Sequence, residues 1–267
     1  MIKYFYYFFK PDFDFNQKSN QQINKSTTNK QINKSTNQQK KIVSLHIRKK
    51  SNKLFNENTL MSLSIPNIKT IIFDFGGVLL NLNMPACVAA FKEVGCETIN
   101  EYLDHYKQRG LFLDFEEGKI STSDFFKELQ KIIGKNVSVQ ELKNAYLSFL
   151  GDIPQYKLDL ILELRKKYAV FMLSNINFFI FDYCKQTYFD KNGKNIHDYF
   201  DKIYLSCEIG ICKPNRRIFD YLLADARLNP NQCLFIDDGE KNIETAKTLG
   251  FLTYHAQPHE DFSYLFE

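Results

Sequence analysis

Ile71-Ile72-Phe73-Asp74-Phe75-Gly76-Gly77-Val78-Leu79 decides how the rest of the chain is read. Thr70 to Phe73 is β-branched and apolar, which suits a short strand buried on both faces. The run stops at an aspartate and turns on two glycines. In an open parallel sheet, ligands bind at the C-terminal tips of the strands, so Asp74 stands where a functional carboxylate belongs. Gly76 and Gly77 let the backbone approach a bound group and adopt angles closed to other residues. Alone the pattern is weak, since an aspartate after a strand also serves as a turn or cap residue. Its weight comes from three later stretches of the chain.

Ala169 to Leu173 is a second apolar strand, ending on Ser174-Asn175. Lys202 to Ser206 reads as a third, and Gly210-Ile211-Cys212-Lys213-Pro214 comes after it. Cys233 to Ile236 is a fourth, ending on Asp237-Asp238-Gly239, and Phe251 to Tyr254 a fifth. Helices are expected between them, over residues 154–167, 215–227 and 242–249. Strands that alternate with helices argue for a doubly wound parallel sheet with helices on both faces. Residues 84–152 break that rhythm. Pro85 to Val94 reads as a helix that Gly95 can end, and Ser123 to Ile133 as another before Gly134. Ser138-Val139-Gln140-Glu141 is a capping box that opens a third, expected to reach Leu150. The expected organisation is therefore an α/β core over 61–83 and 153–267, with a helical cap inserted at 84–152.

The chain has 267 residues and a net charge of +4, but the charge is unevenly placed. Residues 1–60 carry twelve Lys/Arg against three Asp/Glu, while residues 61–267 carry twenty-three against twenty-eight. The basic character belongs to the N-terminal extension, so it gives no ground for a nucleic-acid partner of the core. Within the extension, Gln-Ile-Asn-Lys-Ser-Thr occurs at 22–27 and again at 31–36. Such a polar, repetitive segment buries too little apolar surface to offset its ordering entropy, and disorder is expected. Two readings are open for it. It is an inert or upstream extension with Met61 as the start of the core, or its basic part at 40–53 meets an anionic surface or serves as a transit segment. The six cysteines are scattered, with no Cys-x-x-Cys, so no zinc site or disulfide framework is expected and a reducing, cytoplasmic setting fits. No apolar run reaches the ~18 residues of a membrane span.

If the strands are parallel, Asp74, Ser174-Asn175 and Asp237-Asp238 share one edge of the sheet, and Lys213 can reach the same crevice. A carboxylate nucleophile, a hydroxyl, a cation and a carboxylate pair is equipment for phosphoryl transfer to an aspartate. Crowded acids need a cation between them, and Mg²⁺ suits oxygen ligands. The remaining candidates have ordinary readings. His105, His197, His255 and His259 show no ligand spacing. The run Phe178-Phe179-Ile180-Phe181 is expected to be core or cap contact.

On these motifs, over about residues 68–257, the chain resembles the haloacid dehalogenase superfamily, in particular its phosphatases with a helical cap. The residues that carry the resemblance are 73–79, Leu-Ser-Asn at 173–175, Gly-Ile-Cys-Lys-Pro at 210–214, and Phe-Ile-Asp-Asp-Gly-Glu-Lys-Asn-Ile-Glu-Thr-Ala at 235–246. It implies that Asp74 attacks phosphorus and forms an aspartyl-phosphate. Ser174 would hydrogen-bond the phosphoryl oxygens, and Lys213 would offset the charge of Asp74 and the phosphoryl group. Gly76 and Gly77 would border the phosphate site, and Asn175 would orient substrate or its loop. Asp238 would bind Mg²⁺ together with Asp74 and the backbone carbonyl of Gly76, with Asp237 a supporting carboxylate near Lys213. The implied substrate is a small phosphorylated metabolite, sugar phosphates favoured.

One position departs from the pattern. Many phosphatases of the family carry a second aspartate two residues after the nucleophile, where this chain has Gly76. That residue protonates the leaving oxygen, and loss of general acid–base help costs ~10²–10⁴-fold. The Gly76-Gly77 form is similar to that of α-glucose-1-phosphate phosphatases, whose better leaving group needs the acid less. An acid supplied by the substrate or by the cap would also answer the loss, with Asp114, Glu116 and Glu117 as candidates in the insert. The same departure leaves two rival classes open. One is a metal-independent haloacid-dehalogenase-type hydrolase, against which the pair Asp237-Asp238 speaks. The other is a catalytically weak binding protein.

Overall fold

The computed structural model describes residues 67–96, 110–133, 137–191 and 193–267. The expected N-terminal extension lies outside the described residues, as do Gly134 and Asn192.

Strand β1 (Thr70–Phe73) is buried along its whole length. It pairs in parallel with β2 (Ala169–Ser174) on one side and with β4 (Cys233–Asp237) on the other. Strand β3 (Lys202–Leu205) pairs with β2, and β5 (Leu252–His255) with β4. The order is β3-β2-β1-β4-β5, all parallel. From β1 the chain winds outward to β3 and then crosses back to β4 on the far side of β1. The point where the winding reverses therefore lies between β1 and β4, and a crevice opens there beyond the strand tips.

Helices cover both faces because alternate residues of each strand are apolar on both sides. Ile72, Phe171, Leu173 and Phe235 form one cluster with α9 (Arg216–Ala226) and α10 (Glu240–Thr248), into which Phe219 and Phe251 pack. Their rings meet edge to face, with Phe219 and Phe235 centroids 5.4 Å apart. On the opposite face lies α5 (Gln155–Leu164), which buries Leu158, Ile161 and Leu164. Phe73 meets Phe262 of the C-terminal segment at 5.9 Å.

The insert leaves and re-enters the core across a short antiparallel pairing. Leu82 bridges Leu150, Asn81 N–H donates to Asp152 O, and Asn83 N–H donates to Phe149 O. Between these linkers run α1 (Met84–Glu93), α2 (Leu111–Glu116), α3 (Thr122–Ile133) and α4 (Val139–Leu147). Gly95, at φ +91°, comes after α1 as a left-handed stop. The insert has its own core of aromatic rings. Phe115 stacks on Phe125 at 4.1 Å, and Tyr146 lies 5.5 Å from Phe125.

Several boundaries differ from the sequence reading, each for a local reason. Helix α4 stops at Leu147 because Ser148 Oγ turns back to the Ala145 carbonyl and Leu150 is taken by the linker pairing. Pro154 caps α5 from outside its first turn. Ser206 opens the short helix α8 (Ser206–Ile209) and does not extend β3. Its hydroxyl accepts from Ile176 N–H and donates to the Glu116 carbonyl, partners a strand residue would not reach. The aromatic run after β2 is a helix, α6 (Phe178–Cys184), capped by the Asn177 side chain, which accepts from Ile180 N–H. It continues as a π-helical turn over Lys185–Phe189. A further short helix, α7 (Ile196–Tyr199), precedes β3. Phe179 of α6 sits 5.2 Å from Phe126 of the insert, so part of the run is a cap contact.

Candidate active site

The strand tips gather the polar residues that the sequence scattered. Phe73 is opposite Ile236 in the β1–β4 register, so Asp74 and Asp237 emerge side by side at the winding reversal. Asp74 N–H is fixed by the Ile236 carbonyl at 2.8 Å. Lys213 reaches in from the loop after α8. Its ammonium lies 2.9 Å from Asp74 Oδ1 and 2.7 Å from Asp237 Oδ2, and it donates to the Leu173 carbonyl at 2.8 Å. The Lys213 and Asp237 side chains are almost wholly buried, at 1% and 0% exposure.

Each member is held by a second contact. Asp74 Oδ1 also accepts from Phe75 N–H at 2.7 Å. Among the described residues nothing hydrogen-bonds to Asp74 Oδ2. Asp237 Oδ1 accepts from Gly239 N–H at 2.6 Å and from Asn242 Nδ2 at 2.9 Å. Both Asp237 oxygens are thus committed to protein donors. The Asn175 side chain brackets the backbone of Lys213, accepting from its N–H at 2.7 Å and donating to its carbonyl at 2.9 Å. Asn175 therefore positions the lysine loop. Ser174 stands at the tip of β2, 2% exposed, and its hydroxyl has no hydrogen-bonding partner among the described residues.

Electrostatics follow from burial. Removal from water pushes the Asp74 carboxyl up to about 6; the Lys213 ammonium opposes the shift and the Asp237 charge adds to it. Burial works against the Lys213 ammonium, but the two carboxylates outweigh it and raise its pKa. Two carboxylates share one ammonium here, so the ionised trio keeps one negative charge, and Asp238 is nearby. One oxygen each of Asp74, Asp237 and Asp238 lies within 4.8 Å of the others. That donor set suits a small hard cation with oxygen ligands. Gly76 fits it too. Its carbonyl accepts no hydrogen bond from the described residues, and the neighbouring turn bonds run through Phe75 O and Leu80 O instead. Gly77 is held at φ +82°, a conformation that favours glycine.

Of the candidate acids in the insert, only one is buried. Asp114 is half-buried and lies 3.7 Å from Lys119, while Glu117 pairs with Lys119 at 2.6 Å and accepts from Cys212 N–H. Glu116 is 2% exposed. Sequence reasoning did not single out Ser206, Asn242 as a partner of Asp237, or His255, whose Nε2 lies 2.9 Å from the Asp238 carbonyl. No local pattern marks them. Asn242 stands in the first turn of α10, five residues after Asp237.

A winding reversal flanked by two strand-tip aspartates, with a buried lysine joining them, defines a doubly wound α/β core with a charged site at its strand tips. The chain belongs to the haloacid dehalogenase-like hydrolase family, whose sequence pattern matches residues 68–250. It is 40% identical over 195 residues to D-ribitol-5-phosphate phosphatase of Bacteroides thetaiotaomicron, covering 73% of this chain and 95% of that one. Among solved structures it is similar to a haloacid dehalogenase family enzyme of the same bacterium, crystallised with magnesium and inorganic phosphate. That match has a TM-score of 0.72 and 40% identity, and covers 75% of this chain and 100% of the other. A family hydrolase from Porphyromonas gingivalis is 42% identical with a TM-score of 0.68, covering 73% of this chain and 94% of that one. Among the described residues, no helix is long and apolar enough to cross a membrane.

Proposed function

We propose that the chain is a Mg²⁺-dependent phosphomonoester hydrolase that acts through Asp74 on a small phosphorylated metabolite, a sugar or sugar-alcohol phosphate. The observation that carries this reading is the buried Asp74–Lys213–Asp237 array with Asp238 beside it. The relative named for ribitol 5-phosphate supports the substrate class. Asp74, the Gly76 carbonyl and Asp238 would hold the metal, which supplies positive charge that offsets the carboxylates and the phosphoryl group. Asp237, with both oxygens engaged, supports from behind by holding Lys213 and the 239–242 turn.

The chain's own groups then divide the work. Asp74 in its ionised form attacks phosphorus, the bond to the leaving oxygen breaks, and an aspartyl-phosphate forms. Lys213 pins the nucleophile through Oδ1 and stabilises charge on the phosphoryl oxygens, which the Ser174 hydroxyl also hydrogen-bonds. Asn175 keeps the lysine in place through its backbone. Water then attacks phosphorus and restores Asp74. The helical insert 84–152 serves as the cap that excludes bulk water and selects the substrate. The core works in a reducing, cytoplasmic setting, in keeping with its scattered, buried cysteines.

The test is hydrolysis of a panel containing p-nitrophenyl phosphate, sugar 1- and 6-phosphates and pentitol 5-phosphates, by the full chain, with Mg²⁺ and with chelator. Turnover that requires metal and disappears in Asp74→Asn supports the reading, and the preferred ester names the substrate class. Turnover of haloacids without metal, or of no ester at all, contradicts it.

A further inference from the structure

Resting on the phosphatase reading, we propose that Glu116 of the insert is the general acid and base that replaces the carboxylate missing at Gly76. Glu116 ends α2, yet its side chain is buried, and no described residue hydrogen-bonds to its carboxyl. A buried carboxyl that no described residue hydrogen-bonds is costly unless it is protonated or meets a ligand.

The segment that carries it is fastened onto the loop that carries Lys213. Ser206 Oγ donates to the Glu116 carbonyl at 2.7 Å, and Cys212 N–H donates to Glu117 Oε1 at 3.3 Å. Gly118, at φ +66°, lies so close that a Cβ there would stand 2.1 Å from the Cys207 carbonyl oxygen. Three consecutive residues of the insert thus grip both ends of the 206–212 stretch, just ahead of the lysine. The grip sets Glu116 beside the loop that carries Lys213.

The described titratable groups around it are Glu117 on its own segment, Lys213 and Cys212 on the gripped loop, and Tyr146 of α4. Burial raises the Glu116 pKa and Glu117 adds to the rise, while Lys213 works the other way. An acid meant to donate at neutral pH needs that direction of shift.

The balanced step is short. As Asp74 forms its bond to phosphorus, the P–O bond to the leaving group breaks and its electron pair goes to oxygen. That oxygen takes the proton of Glu116 and departs as a neutral alcohol. The Glu116 carboxylate then takes a proton from the water that attacks the aspartyl-phosphate, releasing phosphate and free Asp74.

Aryl phosphates without sugar hydroxyls isolate this role from substrate recognition. In the full chain with Mg²⁺, Glu116→Gln should lower kcat/KM for phenyl phosphate, whose leaving group needs a proton, by ~100-fold or more. For p-nitrophenyl phosphate, whose leaving group needs little help, the loss should be severalfold at most. Glu116→Asp should recover part of the phenyl phosphate activity. Equal losses on both esters, or none, would overturn the assignment while leaving the phosphatase reading intact. A wild type that hydrolyses neither these esters nor any sugar or pentitol phosphate would overturn both. Should Glu116→Gln fail to fold, the wild-type pH profiles decide the matter. A descending alkaline limb with phenyl phosphate that is missing with p-nitrophenyl phosphate supports the acid, and identical limbs refute it.

Discussion

Among single residues, position 76 lacks the aspartate that many phosphatases of the family carry, and the structure makes the difference testable. A Cβ at Gly76 would meet little besides Leu82 Cδ1, at 3.4 Å, and its backbone lies outside the left-handed region. Gly76→Asp is therefore available without backbone strain, unlike a substitution at Gly77. If Glu116 is the acid, Gly76→Asp should restore phenyl phosphate hydrolysis to Glu116→Gln; kcat/KM of the double variant checks this. Asp74 yields a second prediction. Its folded pKa of about 6 lies above the ordinary aspartate value of 3.8, so the metal-free fold binds the extra proton between those values. Stability of the metal-free protein should therefore fall as pH rises from about 4 to 6, since ionisation of a buried carboxyl is disfavoured. Mg²⁺ competes with that proton. Its affinity should weaken by about tenfold per pH unit below about 6 and level off above it, which calorimetric titration across pH reads directly.

Among the elements, the strands were legible because their apolar runs are continuous, as burial on both faces of a parallel sheet demands. Asp74, Asp237 and Lys213 could be placed in one crevice because strand tips in such a sheet converge wherever its winding reverses. Helix α6 was not legible. Its run Phe178-Phe179-Ile180-Phe181 has no polar face at helical spacing, since Phe179 reaches toward the insert and Ile180 toward the core. The docking of Ser206 on Glu116 was also hidden, because the bond between them joins residues ninety apart in the chain. That docking predicts an outcome. In Gly118→Ala the added methyl would collide with the Cys207 carbonyl, so the insert should shift. We expect a loss of about 1–3 kcal/mol in thermal or denaturant unfolding, within the usual range for backbone strain. Phenyl phosphate turnover should fall more than p-nitrophenyl phosphate turnover. Lys157 offers a comparison away from the site. Its buried ammonium donates to the Val78 carbonyl and lies 5.2 Å from the Phe262 ring centre. Lys157→Met keeps most of the volume and removes the donor, and should cost about 1–3 kcal/mol.

Over the molecule as a whole, every group assigned to the chemistry falls between residues 74 and 238. The basic extension contributes none of them. Removing residues 1–60 should therefore leave kcat/KM unchanged and alter only partitioning onto anionic surfaces, which a sedimentation assay with acidic vesicles measures. The fold itself rests on apolar runs on both sides of β1, whereas the chemistry rests on a few buried charges that oppose one another. Two carboxylates around one lysine cost stability in the metal-free protein, and a cation bound beside them would offset that cost. Asp74 is the residue on which the phosphatase reading turns, as the group proposed to carry the phosphoryl. Acid-quenched mass spectrometry during steady turnover of the preferred ester tests that role without an intervening step. One phosphoryl group is expected on the peptide containing Asp74, vanishing with chelator and in Asp74→Asn. Sustained hydrolysis with the label on another residue, or undiminished hydrolysis by Asp74→Asn, would contradict it.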